Sequence, residues 1–327
     1  MNKKKNITNL FCLMIFSFFV CLNTFAAGSL NFSLKIVNIP FPPYQRNITK
    51  LVNTGNGTIY GIIPENPFSK GDILLIDGTD NIVRINKFSN DTLQVDSVIF
   101  NQNITWTWDK TLTKIITLDA FGVLKVYEKD GTEKEIGMIS GTRPYEKNGY
   151  QISRAFAVDN EGNLYTAGKD GFLFRYNPQT RKLDKLNLQL PAVKGREAWA
   201  TLDAAAISED GKIYLGTFDG YIVEFNPISE TMINLGKPLR QQRIQALACV
   251  DNIIFGIGGE HDGLPRWFIY NPSTRNFEIG GTLKTQDNKL ILEPVNTLLV
   301  TSGNKIYGSF SGRLGNLFLI EITERKK

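Results

Sequence analysis

The chain repeats itself, and a repeat of 40 to 56 residues built from short strand-like runs leaves few architectures open. Three copies are plain. AVDNEGNLYTAGKDGFLFRYNPQT begins at Ala157, AISEDGKIYLGTFDGYIVEFNPIS at Ala206 and ACVDNIIFGIGGEHDGLPRWFIYNPST at Ala248. Their Asn-Pro pairs stand at 177, 226 and 271. Weaker copies flank them: LVNTGNGTIYGII from Leu51, LTKIITLDAFGVLKVYEKDG from Leu112 and LLVTSGNKIYGSF from Leu298. Matching strands start near Ile59, Ile115, Leu164, Ile213, Ile253 and Ile306, at intervals of 56, 49, 49, 40 and 53 residues. None of these gaps is wide enough to hide a further copy.

Each copy reads as four strands. In the third, Ala155–Val158, Leu164–Gly168, Phe172–Tyr176 and Lys182–Leu186 are apolar or alternating runs, separated by turn-forming Asn, Asp, Gly and Pro. Four antiparallel strands per repeat and no amphipathic helix after residue 27 predict an all-β fold: a β-propeller of six blades, with seven as the alternative. The first strand of each unit is rich in small residues, as in Ala204-Ala205-Ala206, which suits the crowded axis. The last copy stops after its third strand, Leu317–Ile322, so Ser33–Ile39 is expected to supply the fourth and close the ring.

Ahead of the repeats, Lys3, Lys4 and Lys5, the apolar run Leu10 to Leu22 and Thr24-Phe25-Ala26 have the three-part layout of a signal peptide. The expectation is a leader over 1–26 and one propeller domain over 27–327, secreted or periplasmic and monomeric, with no transmembrane segment. Removing the leader takes three of 37 basic residues and none of the 32 acidic ones, so the net charge falls from +5 to +2. That balance gives no reason to expect nucleic acid as a partner. Cys12 and Cys21 leave with the leader. Cys249 remains, among Ala246, Leu247, Ala248 and Val250, and reads as a small buried apolar residue. Five glycosylation triplets, from Asn31 to Asn103, are read as chance in a bacterial chain rich in Asn.

The unit DGKIYLGTFDGYIVEFNP resembles the repeats of NHL-type and gluconolactonase-like propellers, and blades of the propeller polysaccharide lyases such as the ulvan lyases. The likeness spans residues 50 to 322 and consists of strand and turn residues, so it speaks for the fold. No WD dipeptide, sialidase-type Asp-box, dinucleotide fingerprint, P-loop or zinc-protease motif is present.

In a propeller, the connections between blades share a face with the loops joining second to third strands. Here those segments are Ser140–Gln151, Leu188–Leu202, Gly236–Gln245 and Glu260–Arg266. They hold Arg143, Arg196, Arg240, Arg243 and Arg266, with Tyr145, Tyr150, Trp199 and Trp267 in or beside them. Arginine grips carboxylate or sulfate in two-pronged fashion, and aromatic rings stack on sugars. An acidic carbohydrate, or a similar anionic ligand, is the expected partner. His261, the sole histidine, is the candidate proton carrier, with Tyr145 and Tyr150 beside it; an ordinary solvated loop residue is the other reading. Resemblance to the ulvan-type lyases would imply β-elimination of a uronate, although several of those enzymes use more than one histidine. An envelope scaffold is a further alternative. Gluconolactonase-like propellers hold a divalent cation on the axis. Here Asp203 is the best carboxylate candidate among mostly apolar axial positions, and no metal or other cofactor is expected.

Overall fold

The computed structural model describes residues 31–323 apart from 38, 40–46, 54–57, 65–71, 77–81, 86, 90–93, 97–104, 112, 120, 129, 140–152, 169, 241–242, 260–263, 302–303 and 312–315. It is a six-bladed β-propeller, each blade a sheet of four antiparallel strands. From the axis outward, the first blade is Lys50–Asn53, Ile59–Ile63, Asp72–Ile76 and Ile82–Ile85. The second is Thr105–Trp108, Ile115–Leu118, Val123–Tyr127 and Glu133–Met138. The third is Ala157–Val158, Leu164–Ala167, Phe172–Asn177 and Lys182–Gln189, so its inner strand is shorter and its outer one longer than the sequence pattern suggests. The fourth is Leu202–Ile207, Ile213–Thr217, Ile222–Asn226 and Thr231–Gly236; the fifth is Ile244–Val250, Ile253–Gly258, Arg266–Asn271 and Asn276–Thr282. A small hairpin, Lys87–Ser89 with Gln94–Asp96, fills the longest interval, between the first two blades.

The sixth blade combines both ends of the described chain. Val295–Thr301, Lys305–Phe310 and Leu317–Thr323 come from the C-terminal end, and Asn31–Val37 is the outer strand. That strand pairs antiparallel along its whole length, from Asn31 opposite Thr323 to Val37 opposite Leu317. Closure therefore occurs as the pattern requires, two residues upstream of Ser33–Ile39. Ile39, though buried, lies beyond the pairing.

The recurrent Asn-Pro has a local cause. Asn177 Oδ1 accepts the backbone N–H groups of Gln179 and Thr180, Asn226 those of Ile228 and Ser229, and Asn271 those of Ser273 and Thr274. Four residues after each Asn, the chain turns through positive φ, at Arg181, Glu230 and Arg275. The side chain thus substitutes for a backbone acceptor and fixes the same tight turn between third and fourth strands in three successive blades. Each pair of neighbouring blades shares its own buried cluster. Phe255, Ile257, Phe310, Phe318 and Ile320 form part of one buried cluster that also takes in Leu34 of the closing strand. Burial pushes the Cys249 thiol up to about 11, as befits an unreactive packing residue.

Candidate functional site

Polar hydrogen bonds near the axis join all six pairs of neighbouring blades. Lys50 Nζ donates to the Trp106 carbonyl, joining the first blade to the second. Thr105 Oγ1 donates to the Ser153 carbonyl at 2.7 Å, and Ser153 Oγ accepts the Leu202 N–H at 3.1 Å, which carries the chain of bonds to the fourth blade. Arg243 Nε meets Asp203 Oδ2 at 2.8 Å, and Gln245 Oε1 accepts the Val295 N–H at 2.8 Å. Asn296 Nδ2 donates to the Ile48 carbonyl at 2.9 Å and completes the circle.

Three of these residues sit on equivalent irregularities. Pairing between first and second strands slips at Asp203, at Gln245 and at Asn296, each the second residue of its inner strand. The extra residue of such a bulge leaves the ladder and turns its side chain out of the sheet. The bulges lie where the chain enters each inner strand, at the end of the axis reached by the inter-blade connections. There they ring a cavity of about 140 Å³, lined in part by Lys50, Arg154, Asp203, Gln245 and Asn296.

The charges in this ring do not balance. Gln245 and Asn296 are neutral and already hydrogen-bonded, Gln245 also donating to the Gly259 carbonyl. Among the described residues Asp203 is the only carboxylate lining the cavity, and Arg243 occupies its Oδ2. Among the described residues neither Lys50 nor Arg154 has a carboxylate partner, and Asp203 Oδ1, although buried, accepts no hydrogen bond. Burial lowers Lys50 to about 8, and its ammonium lies 5.2 Å from the Trp106 ring centre. Arg154 is lowered too, by burial first and by the repulsion of Arg243 second. Asp203 is raised because burial outweighs the attraction of Arg243 and Arg154. Arg243 holds a left-handed backbone, φ 68°, uncommon for a residue with a side chain and placed where the ion pair needs it.

The comparisons support this architecture. The structure resembles a streptogramin B lyase, with a TM-score of 0.63 at 10% identity over 90% of this chain and 98% of that one. It also resembles a catalytically inactive histidine-to-alanine form of virginiamycin B lyase from Staphylococcus aureus bound to quinupristin, with a TM-score of 0.55 at 10% identity over 90% and 100% of the two chains. A luciferin-regenerating enzyme gives 0.54 at 10% identity over 90% and 97%. Identities this low establish the propeller fold and nothing finer. No protein-family model and no curated protein sequence matches the chain.

The residues singled out in the sequence fall into separate places. Arg143, Tyr145, Tyr150 and His261 lie outside the described residues. The loop that carries His261 leaves from Gly259, whose carbonyl is tied to Gln245 of the axial ring. Arg243 belongs to the ring through Asp203. Arg196 and Trp199 do not reach it. Arg196 pairs with the fully buried Asp219 at 3.1 Å and covers the Trp199 ring, which leans on Phe218 at 5.1 Å. Asp219 also accepts the Val193 N–H, so this group fastens the connection between the third and fourth blades. Arg240 is exposed in a bend, and Arg266 is exposed at the start of its strand, across from Gly258 and Thr282. Lys50 and Arg154 were missed by sequence reasoning. Among the described residues, no group of three or more His, Cys, Asp or Glu gathers as metal ligands would.

Proposed function

We propose that the protein binds an anionic ligand at the axial end of the propeller, with an acid group of the ligand seated between Lys50 and Arg154. The observation that carries this reading is the excess of cations: among the described residues, Lys50 and Arg154 line the cavity with a single carboxylate, Asp203, and Arg243 already engages it. Asp203 is buried and Lys50 half-buried while Arg154 is exposed, so the site is open to a ligand from solvent and an opposite charge beside Lys50 is worth more than on the surface. The volume narrows the choice. At about 140 Å³ the cavity is well below the roughly 300–1,000 Å³ of pockets that engulf a whole ligand. It suits one acidic substituent, as on a uronate or sulfated sugar, while the rest of the molecule lies over the loop face. The leader-like residues 1–26 fit such a role outside the cytoplasm. The resemblance of the repeat to propeller polysaccharide lyases, and the lyases among the structural neighbours, favour elimination chemistry on the same ligand as the second reading.

The test is a calorimetric titration with galacturonate and with a sulfated monosaccharide, at low and high salt. Losing one charged hydrogen bond costs about 1.5–3 kcal/mol, so Arg154→Gln should weaken binding by roughly 10- to 150-fold and flatten the salt dependence. Arg240→Gln should change little. Loss of binding in Arg240→Gln and Arg266→Gln, with Arg154→Gln unaffected, would move the site to the outer loops and overturn the axial assignment. Unsaturated product from a panel of uronate polymers would establish the lyase reading.

A further inference from the structure

Resting on the anionic-ligand reading and naming its substrate class, we propose that the site takes a hydroxy acid: Arg154 holds the acid group, and Asp203 Oδ1 bonds to a hydroxyl within two carbons of it. Monomeric uronates belong to this class, since the ring carbon beside the one bearing the carboxylate carries a hydroxyl. Three observations put the two side chains together. The Arg154 N–H donates to the Leu202 carbonyl at 2.7 Å, which ties the entry of the third blade to the residue before Asp203. Pairing between first and second strands slips at Asp203, so its side chain leaves the ladder, and it lines the same cavity as Arg154. The two charges act on each other: Arg154 stabilises the Asp203 carboxylate, and Asp203 offsets the repulsion that Arg243 exerts on Arg154.

Arg243 Nε takes Oδ2 at 2.8 Å and leaves Oδ1 buried without a partner. A buried carboxylate oxygen in that state is costly, and a donor brought by the ligand relieves it. The neighbouring bulge residue Gln245 offers no such atom, since its amide already accepts from the Val295 N–H and donates to the Gly259 carbonyl. The partner of Oδ1 is a hydroxyl rather than an ammonium for two reasons. Among the described residues, Lys50 and Arg154 line the cavity with one carboxylate that Arg243 already engages, so a further cation is repelled. Burial also favours the protonated form of Asp203. A hydroxyl donates to the carboxylate and accepts from the protonated carboxyl, whereas an ammonium only donates.

The probes are two matched sets of small acids, titrated into the whole protein by NMR: acetate, glycolate and glycine, then propionate, β-hydroxypropionate and β-alanine. A hydrogen bond to a charged group is worth about tenfold or more, so at least one hydroxy acid should bind about tenfold more tightly than its plain acid. The amino acids should bind no better than the plain acids. Arg154→Gln should weaken plain and hydroxy acids together. Asp203→Leu combined with Arg243→Met removes one charge of each sign and keeps similar volumes, and it should bring the hydroxy acid level with the plain one. Plain and hydroxy acids that bind equally, and lose affinity together in Arg154→Gln, would overturn the hydroxyl contact and leave the anion site standing. An amino acid that binds most tightly would overturn it in favour of an ammonium. A preference that survives the double variant would place the acceptor away from Asp203 and overturn the assignment. Absence of binding by every probe, or affinities that ignore Arg154→Gln, would overturn the anion site itself. Melting temperatures matched to the parent keep a folding defect from imitating these results, and if the double variant fails to fold, the comparison within the parent still decides.

Discussion

Deleting residues 27–37 is expected to turn a folded domain into an aggregating one. The strand removed pairs along seven residues with Leu317–Thr323. It buries Leu34 and Val37, and it sets Phe32 edge-on against Phe255 and Trp267 at 5.3 and 5.0 Å. Two buried aliphatic side chains contribute about 1.5–3 kcal/mol each, and the aromatic contacts add to that. The sum approaches the whole 5–15 kcal/mol by which domains are normally stable. The deletion also bares a long apolar edge, Leu317-Phe318-Leu319-Ile320, whose free N–H and C=O groups would recruit another chain. Leu34→Ala keeps the strand and should lose about 2–5 kcal/mol in denaturant melts. A truncated protein that stays monomeric and melts with the parent would show that closure contributes nothing.

Arg243→Met should cost about 3–5 kcal/mol, because it strands Asp203 as a buried carboxylate with no counter-charge on its bonded oxygen. The loss should depend on pH in a definite direction. In the folded protein Asp203 is already raised above its ordinary value, so protonation favours the folded state and the carboxylate opposes it. Stability contributed by this group is present below the ordinary carboxylate range and is lost as pH rises toward the folded value. Without Arg243 the folded value rises further, so the gap between parent and variant should be small near pH 4 and wide at pH 7. Adding Asp203→Asn to Arg243→Met should recover most of the deficit, since an amide needs no counter-ion. Arg243→Gly separates a second effect, because glycine tolerates the left-handed φ of 68° at this position. A gap that does not change between pH 4 and pH 7 would show that the pair has no electrostatic role.

The propeller was legible because its determinants are local and repeated. The alternating runs of all six blades, and the Asn-Pro turns and small inner-strand residues of the third, fourth and fifth, each act over a few positions, and repetition makes them audible. Closure was legible for a different reason: a blade missing its fourth strand and a spare apolar strand upstream have one economical solution. The axial site was obscured by the same regularity. Lys50 stands in one of the weaker copies, and Arg154 next to a short inner strand, so both pass for ordinary strand-edge residues. Arg196 and Trp199 drew attention as loop residues, yet Asp219 and Phe218 claim them for packing, and those partners lie about twenty residues downstream. A signal was available. In SRAFA, LDAAA, IQALA and VNTLL, from Ser153, Leu202, Ile244 and Val295, the second position is polar in every copy, as Arg154, Asp203, Gln245 and Asn296, and mostly small or apolar residues follow it. Read down the repeats rather than along the chain, that column holds the three bulges and Arg154, and hence marks the ring.

The central claim is that an acid group binds on the axis, and locating a heavy anion tests it most directly. A crystal of the protein soaked in selenate should show an anomalous peak within hydrogen-bonding distance of Lys50 Nζ and the Arg154 guanidinium, absent from crystals of Arg154→Gln. Peaks confined to Arg240, Arg266 or other loop residues, with the axis empty at the same selenate concentration, would contradict it.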